Sequence, residues 1–413
     1  MSLDISPSPV ASSPSLQRLS LQRLPAALLS RMMARLTVGQ ITVRLPDGTR
    51  LTRRAVQPGP EGVLELHRWR AVRRLALGGD IAFAEAYADG DWSSPDLPAL
   101  LELAARNISR LDGAMAGTPL ARMVNRLLHR GRANTRAGSR RNIIAHYDLG
   151  NDFYARWLDQ GMAYSSALYT SPHQSLEAAQ AVKLDRIVQL LGISGGERVL
   201  EIGCGWGGLA ERIAREGCHV TGLTLSPAQL AAAQDRLIEA DLGCRADLRL
   251  QDYRDVTGTY DRIVSIEMLE AVGERYWPLY FRTLRQRLSD DGVAVLQVIT
   301  IDDARFGHYR SNVDFIQRHV FPGGMLPPPG RLAREAAAAG LRLDGAETFG
   351  DSYARTLAEW RRRFHAAWAD IQAQGFPPRF RRLWDYYLAY CEAGFRAGLI
   401  DVGLYRLVPA SCP

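Results

Sequence analysis

The chain has 413 residues and five cysteines without a CxxC pair, and its 51 basic against 44 acidic residues leave a net charge of +7. At roughly 150 residues per domain this is a chain of two or three domains, and 46% hydrophobic with 23% charged residues are globular proportions. The composition argues against a disulfide framework or zinc ribbon, against a membrane span of roughly 18 apolar residues and against a secretory leader, so the expected setting is the cytoplasm.

Residues 1–15, rich in Ser and Pro, read as a disordered tail. Leu16, Leu19, Leu24, Leu28, Met32 and Leu36 then fall near helical spacing, and Pro25 divides the stretch into two short helices. Strands around Ile41–Arg44 and Val63–Leu66, with helices about Phe83–Tyr87 and Leu97–Ala105, make residues 16–140 a small α+β N-terminal domain. The charge excess sits here: residues 1–140 hold 20 arginines against 11 acids, a local +9 that leaves −2 for the remainder. No acid lies between Asp112 and Asp148, whereas Arg122, Arg126, Arg130, Arg132, Arg136, Arg140 and Arg141 do. Such a stretch is either a solvated linker or a patch for anionic headgroups, where each arginine contributes about 1 kcal/mol.

Residues 141–413 form the second unit. From about residue 190 strands and helices alternate: Arg198–Gly203, His219–Ser226, Asp247–Gln251, Asp261–Met268 and Val293–Ile301 are strands, as in a parallel sheet covered on both faces. Two further strands are expected near Leu341–Phe349 and Val402–Val408, around a helical stretch. Phe349 to Phe395 holds 12 of the 34 aromatics, too many for a surface helix, so these rings either fill a core or line an apolar pocket.

The chemistry centres on Glu201-Ile-Gly-Cys-Gly-Trp-Gly-Gly208, between a strand and a helix. Glycine there lets the backbone turn tightly and approach a ligand. A dinucleotide site would want an acid at the end of the second strand to hold a ribose, but Thr221-Gly-Leu-Thr-Leu-Ser226 offers none. Glu201, just before the first glycine, suits a ligand ammonium, so S-adenosylmethionine fits better. Thr224 and Ser226 also suit capping of the helix that Pro227 starts.

Seven ordered motifs then carry a resemblance: His146–Tyr154, Met162-Ala-Tyr-Ser-Ser166, Val199–Gly208, Thr224–Gln229, Gln251-Asp-Tyr-Arg-Asp255, Glu267-Met-Leu-Glu-Ala-Val-Gly273 and Phe321-Pro-Gly-Gly324. From about residue 140 to the C-terminus the chain resembles the cyclopropane-fatty-acyl-phospholipid synthases, which are S-adenosylmethionine-dependent lipid methyltransferases. The resemblance implies a Rossmann-like class I methyltransferase sheet of the α/β class, with helical lipid-pocket insertions behind the α+β domain. It implies that S-adenosylmethionine is held by Tyr164, Ser165, Leu200, Glu201, Gly203, Cys204, Gly205, Trp206, Gly207, Gly208, Thr224, Leu225, Ser226, Gln229, Gln251, Asp252 and Tyr253. It further implies a bound bicarbonate as general base, on Glu270, Tyr353 and the backbone of Ile299. Ser166 and Gln297 stand where the family often has cysteine and histidine, and both keep hydrogen-bonding capacity.

Cys391 aligns with a cysteine sometimes named as an active-site residue, although its aromatic helix context reads as a buried structural thiol. No metal-ligand spacing occurs among the eight histidines. The expected partners are an unsaturated phospholipid, an anionic membrane surface met by the basic N-terminal region and, by resemblance, a second copy of the chain. The expected activity forms a cyclopropane across a cis double bond at the inner face of the membrane, or a methylene- or methyl-branched chain. A nucleic-acid-binding protein is the reading from another class, and no recognition motif supports it.

Overall fold

The computed structural model describes residues 26–115, 117–130, 134–136, 138–139 and 149–410. The tail over 1–15, Leu16, Leu19, Leu24, Arg132, Arg140, Arg141 and His146 lie outside the described residues. After Pro25 the chain is helical over 26–34.

Two sheets organise the molecule. In the first, β1 (Val38–Arg44), β2 (Arg50–Arg54), β3 (Gln57–Leu66) and β4 (Trp92–Ser93) take the order β2-β1-β3-β4. The sequence Arg50-Leu-Thr-Arg-Arg54 gives no strand signal by apolar alternation. It pairs because it returns beside β1 at the sheet edge, where its charged side chains stay in water. The expected helix about Phe83–Tyr87 is the end of a longer one, Arg70–Ala88, kinked at Gly79 where φ is 73°. Helix Leu97–Arg106 starts from Asp96, whose carboxylate accepts from Ala99 N–H.

The second sheet has seven strands: β5 (Arg198–Ile202), β6 (His219–Thr224), β7 (Ala246–Leu250), β8 (Tyr260–Ile266), β9 (Leu288–Ile301), β10 (Leu341–Thr348) and β11 (Ile400–Pro409). Their order is β10-β11-β9-β8-β5-β6-β7. β7-β6-β5-β8-β9 run parallel, while β11 inserts antiparallel between β9 and β10. The chain leaves β5 toward β6 on one side and returns through β8 on the other. That reversal opens a crevice at the carboxyl ends of β5 and β8, where ligands of such sheets bind.

The C-terminal aromatics are core. Helices Gly350–Ala366 and Pro378–Arg396 join Phe153, Tyr154 and Trp157 in one buried cluster that reaches Tyr87 and Trp92 of the first unit. Tyr87 donates to Asp385 at 2.5 Å, and the same carboxylate takes Arg361 and His365. Stacked and edge-on rings, such as Phe380 on Trp384 at 5.4 Å, add about 1 kcal/mol per pair beyond their burial. The second unit is therefore packed against the N-terminal sheet unit rather than tethered to it. No described helix is long and apolar enough to cross a membrane.

Candidate active site

At the crevice the glycine loop follows β5 and leads into helix Gly208–Arg215. A Cβ on Gly203, at φ 88°, would fall 2.5 Å from Met268 Cγ, and one on Gly208 would fall 2.8 Å from the Gly161 carbonyl oxygen. These glycines let two segments close over the strand end. Gly205 has nothing within 4 Å of its Cβ position and faces open space.

That space is a cavity of about 350 Å³. Of the residues expected to hold a donor, Tyr164, Ser165, Glu201, Gly203, Cys204, Gly205, Trp206, Gly208, Thr224, Leu225, Gln229, Gln251 and Tyr253 line it. Four do not. Leu200 is buried in the core beneath the sheet, and the Cβ position of Gly207 abuts Ala233. Ser226 accepts from Gln229 N–H as a helix cap, and Asp252 is taken up by Arg254. Each answers a local packing, backbone or charge demand. Cys204 is buried without a disulfide, and its thiol is pushed up by burial, so it packs rather than reacts.

Glu201 is 2% exposed, and its Oε2 has no hydrogen-bond partner among the described residues. Burial raises its pKa to about 8, against the opposing pull of Lys183. An unsatisfied buried carboxyl oxygen facing a cavity fits a cationic ligand group. The residues present therefore fit S-adenosylmethionine, an ammonium and sulfonium compound.

The expected bicarbonate site is arranged differently. Ser166 N–H donates to Glu267 Oε1 at 2.9 Å, the Gln297 amide donates to the same oxygen at 2.7 Å, and Tyr353 O–H donates to Glu267 Oε2 at 2.7 Å. The remaining donor, Ile299 N–H, goes to Glu270. These four donors already serve carboxylates of the chain, so Glu267 takes up the groups expected to hold the anion, while Glu270 Oε2 is buried without a hydrogen-bond partner among the described residues. Glu267 lines the cavity, whereas Ser166, Gln297, Ile299, Glu270 and Tyr353 stand behind it.

Glu267 was read from the sequence only as the first residue of a motif, without a role in the site. Its backbone has φ 51°, one of three positive values among the described non-glycine residues, and Met162, another, also lines the cavity. Strained backbone of this kind persists where surrounding contacts enforce it. Burial raises Glu267 while its three donors hold the ionised form. Glu270, buried beside it, is raised to about 8, first by burial and then by Glu267. Burial thus raises both carboxyls: Glu270, at about 8, keeps its proton at neutral pH, while Glu267 is the one whose ionised form is held by hydrogen bonds from Tyr353, Ser166 and Gln297. Burial and Glu267 also push the Tyr353 hydroxyl up, so it stays a donor.

Aromatic rings surround this group. Tyr164 lies 5.4 Å from Trp360 and 6.5 Å from Phe321 by ring centroids, and its hydroxyl meets that of Tyr387 at 2.8 Å. Tyr353 packs on Phe395 at 4.6 Å. Cys391 is partly buried, and its thiol is pushed up by burial and by Asp314, which keeps it protonated. A thiol in that state is a poor nucleophile.

The family model for mycolic acid cyclopropane synthetase matches residues 134–404. The chain belongs to this family. It is 38% identical to the tuberculostearic acid methyltransferase UfaA1 of Mycobacterium tuberculosis, over 94% of this chain and 92% of that protein. It is 35% identical to the cyclopropane-fatty-acyl-phospholipid synthase of Escherichia coli K12, over 81% of this chain and 84% of that one. Among solved structures, the mycolic acid cyclopropane synthase CmaA1 complexed with SAH and CTAB superposes with a TM-score of 0.60 at 29% identity, covering 65% of this chain and 97% of that one. As a member of the family the chain is an S-adenosylmethionine-dependent methyltransferase, and its sheet is the Rossmann-like α/β sheet that the sequence implied. Among the described residues no cluster of His, Cys, Asp and Glu is placed to hold a metal.

Proposed function

We propose that this enzyme transfers a one-carbon unit from S-adenosylmethionine to the cis double bond of an unsaturated acyl chain in a membrane phospholipid, with the Glu267 carboxylate as proton acceptor. The observation that carries this reading is the buried, triply hydrogen-bonded carboxylate at the cavity wall. When bound, S-adenosylmethionine supplies an electrophilic methyl group on a positively charged sulfur. The glycine loop approaches the donor with its backbone, and Glu201 takes its ammonium group. Methyl addition to an alkene leaves positive charge on the neighbouring carbon, which water would capture. Tyr164 lines the cavity with Trp360 and Phe321 packed behind it, an aromatic wall that excludes water and suits a developing positive charge. Glu267 then takes a proton from the transferred methyl, within reach of general-base catalysis.

The electron pair of that C–H bond either closes a three-membered ring or, after a 1,2-hydride shift, forms the double bond of a methylene branch. The base serves both outcomes from the same place. The methylene-branched product is favoured by two findings: the expected donors serve Glu267 rather than a free anion, and the chain is similar over most of its length to a tuberculostearic acid methyltransferase. Work at the inner, anionic face of a membrane is part of the same reading.

Purified protein with S-adenosylmethionine and unsaturated phospholipid vesicles is expected to add one CH2 per modified chain, at equal rates in bicarbonate-replete and bicarbonate-depleted buffer. Cyclopropyl protons far upfield in the NMR spectrum identify the ring, and vinylidene protons identify the branch. Absence of any heavier lipid in both buffers would sink the reading.

A second expectation concerns the donor site. Glu201, protonated near neutral pH in the free enzyme, ionises when a cation meets it, so donor binding at pH 7 releases close to one proton. Calorimetric titrations in buffers of different ionisation enthalpy read that proton, and Glu201→Gln abolishes it. A buffer-independent heat would show that Glu201 does not meet the ligand cation.

A further inference from the structure

Helix Pro119–Arg130 sits apart from the chemistry. Leu120, Met123, Val124, Leu127 and Leu128 follow i, i+3, i+4, i+7, i+8 spacing and form one stripe. In a packed protein such a stripe faces the core; here their exposures are 64, 53, 44, 57 and 43%. Five of the nine large apolar side chains exposed among the described residues lie on this single helix. Leu77, 63% exposed, extends the patch at the helix start, where Thr118 N–H and O–H both donate to the Leu77 carbonyl. A contiguous exposed apolar patch marks an interaction surface.

Charge selects the occupant. Arg126 borders the stripe and Arg122 lies on the polar face of the same helix, both exposed, and the sequence holds no acid from residue 113 to 147. A second copy pairing through this face would bring the same basic flank against itself. Residues 16–24, with Arg18 and Arg23 among their leucines, would likewise bring positive charge to positive charge. An anionic bilayer matches both features, with acyl boundary for the stripe and phosphates for the guanidinium groups.

Position supports the same occupant. Arg126 Nε donates to the Ser311 carbonyl at 2.8 Å, so the helix rests on the segment that continues to Phe321 and Met325. That segment reaches the reaction site: Phe321 neighbours Tyr164, and Met325 N–H donates to the Glu270 carbonyl.

We propose that helix Pro119–Arg130 is the surface on which this protein docks to anionic bilayers, its apolar stripe entering the acyl boundary beside the segment that walls the active site. The proposal deepens the lipid-acceptor reading and rests on it for its purpose, though docking is measured without turnover. Full-length protein is sedimented with vesicles of phosphatidylglycerol and phosphatidylethanolamine, and separately with phosphatidylcholine vesicles.

Wild type is expected to partition at least about tenfold more strongly onto the anionic vesicles. The triple variant Leu120→Gln, Met123→Gln, Leu127→Gln is expected to lose about tenfold or more of that partition and of its turnover on vesicles. Its melting temperature and its turnover on the same lipid in mixed micelles should stay at wild-type values. Unchanged partition of the triple variant overturns the proposal. So does a change from dimer to monomer by light scattering with vesicle binding intact, which would make the stripe a subunit interface. If the variant loses partition while no arm yields methylated lipid, the functional reading falls and the docking surface stands.

Discussion

Glu267→Gln is expected to lower turnover on unsaturated vesicles by about 10²–10⁴-fold, the range of a positioned general base, while S-adenosylmethionine affinity stays within about twofold. Glutamine preserves the size of the side chain and an acceptor oxygen, so the group is lost as a base rather than as a volume. Glu270→Gln serves as the contrast. With its pKa raised to about 8, Glu270 is already neutral at pH 7, and glutamine retains the oxygen that accepts from Ile299 N–H. Its loss is expected to stay below about tenfold. A third variant reports on protonation. Tyr353 O–H stabilises the ionised form of Glu267, so Tyr353→Phe raises the Glu267 pKa and moves the acid limb of the pH–rate profile upward. Wild-type turnover in Glu267→Gln, or a larger loss in Glu270→Gln, would assign the proton transfer elsewhere.

The parallel sheet and its glycine turn were legible because their signals are local. Apolar strands separated by helical spacing fix β5 to β9, and the turn at Gly203 to Gly208 needs residues without side chains. β2 was not legible, since its arginines pair with β1 through backbone alone. The donors Ser166, Gln297 and Tyr353 were found through family motifs, but what they hold was not. Their common acceptor depends on a loop, a strand and a helix far apart in sequence meeting at one carboxylate. A usable signal did exist. Glu201 was singled out as an acid at the carboxyl end of a buried strand, and Glu267, directly after β8, meets the same criterion. The motif drew notice three residues onward to Glu270. Lys183 carried a comparable signal: it shares the face of Leu176, Ala179, Gln180 and Ile187, all buried on helix Leu176–Leu191.

That lysine carries the second large effect. It is the only lysine in the chain, and its side chain is fully buried. Its Nζ donates to Ser165 Oγ at 2.8 Å, and it is the cation facing Asp159, Glu201 and Glu267. Burial lowers its pKa to about 8, and the carboxylates resist that fall, so it is largely charged at neutral pH. Removing one partner from a buried charge cluster leaves the others uncompensated, which costs about 3–5 kcal/mol. Lys183→Met is expected to destabilise the enzyme by that amount at pH 7 and to weaken donor binding, because Ser165 lines the cavity.

The loss should depend on pH with a defined sign. Without the cation the carboxyl pKa values rise further, so the carboxyls of the folded variant hold more protons than those of the folded wild type. Stability falls with rising pH wherever the folded state binds more protons than the unfolded one. The gap between variant and wild type therefore widens with rising pH above the ordinary carboxylate range, and widens further above about pH 8, where folded Lys183 loses its proton while the unfolded chain keeps it. Denaturant melts at several pH values measure the gap. Amine-reactive labelling read by mass spectrometry provides a second check on wild type: Lys183 stays unlabelled in the folded protein and reacts only when the cluster opens. Rapid labelling under native conditions, or a pH-independent gap, would mean that this lysine does not serve as the buried counter-ion of the donor site.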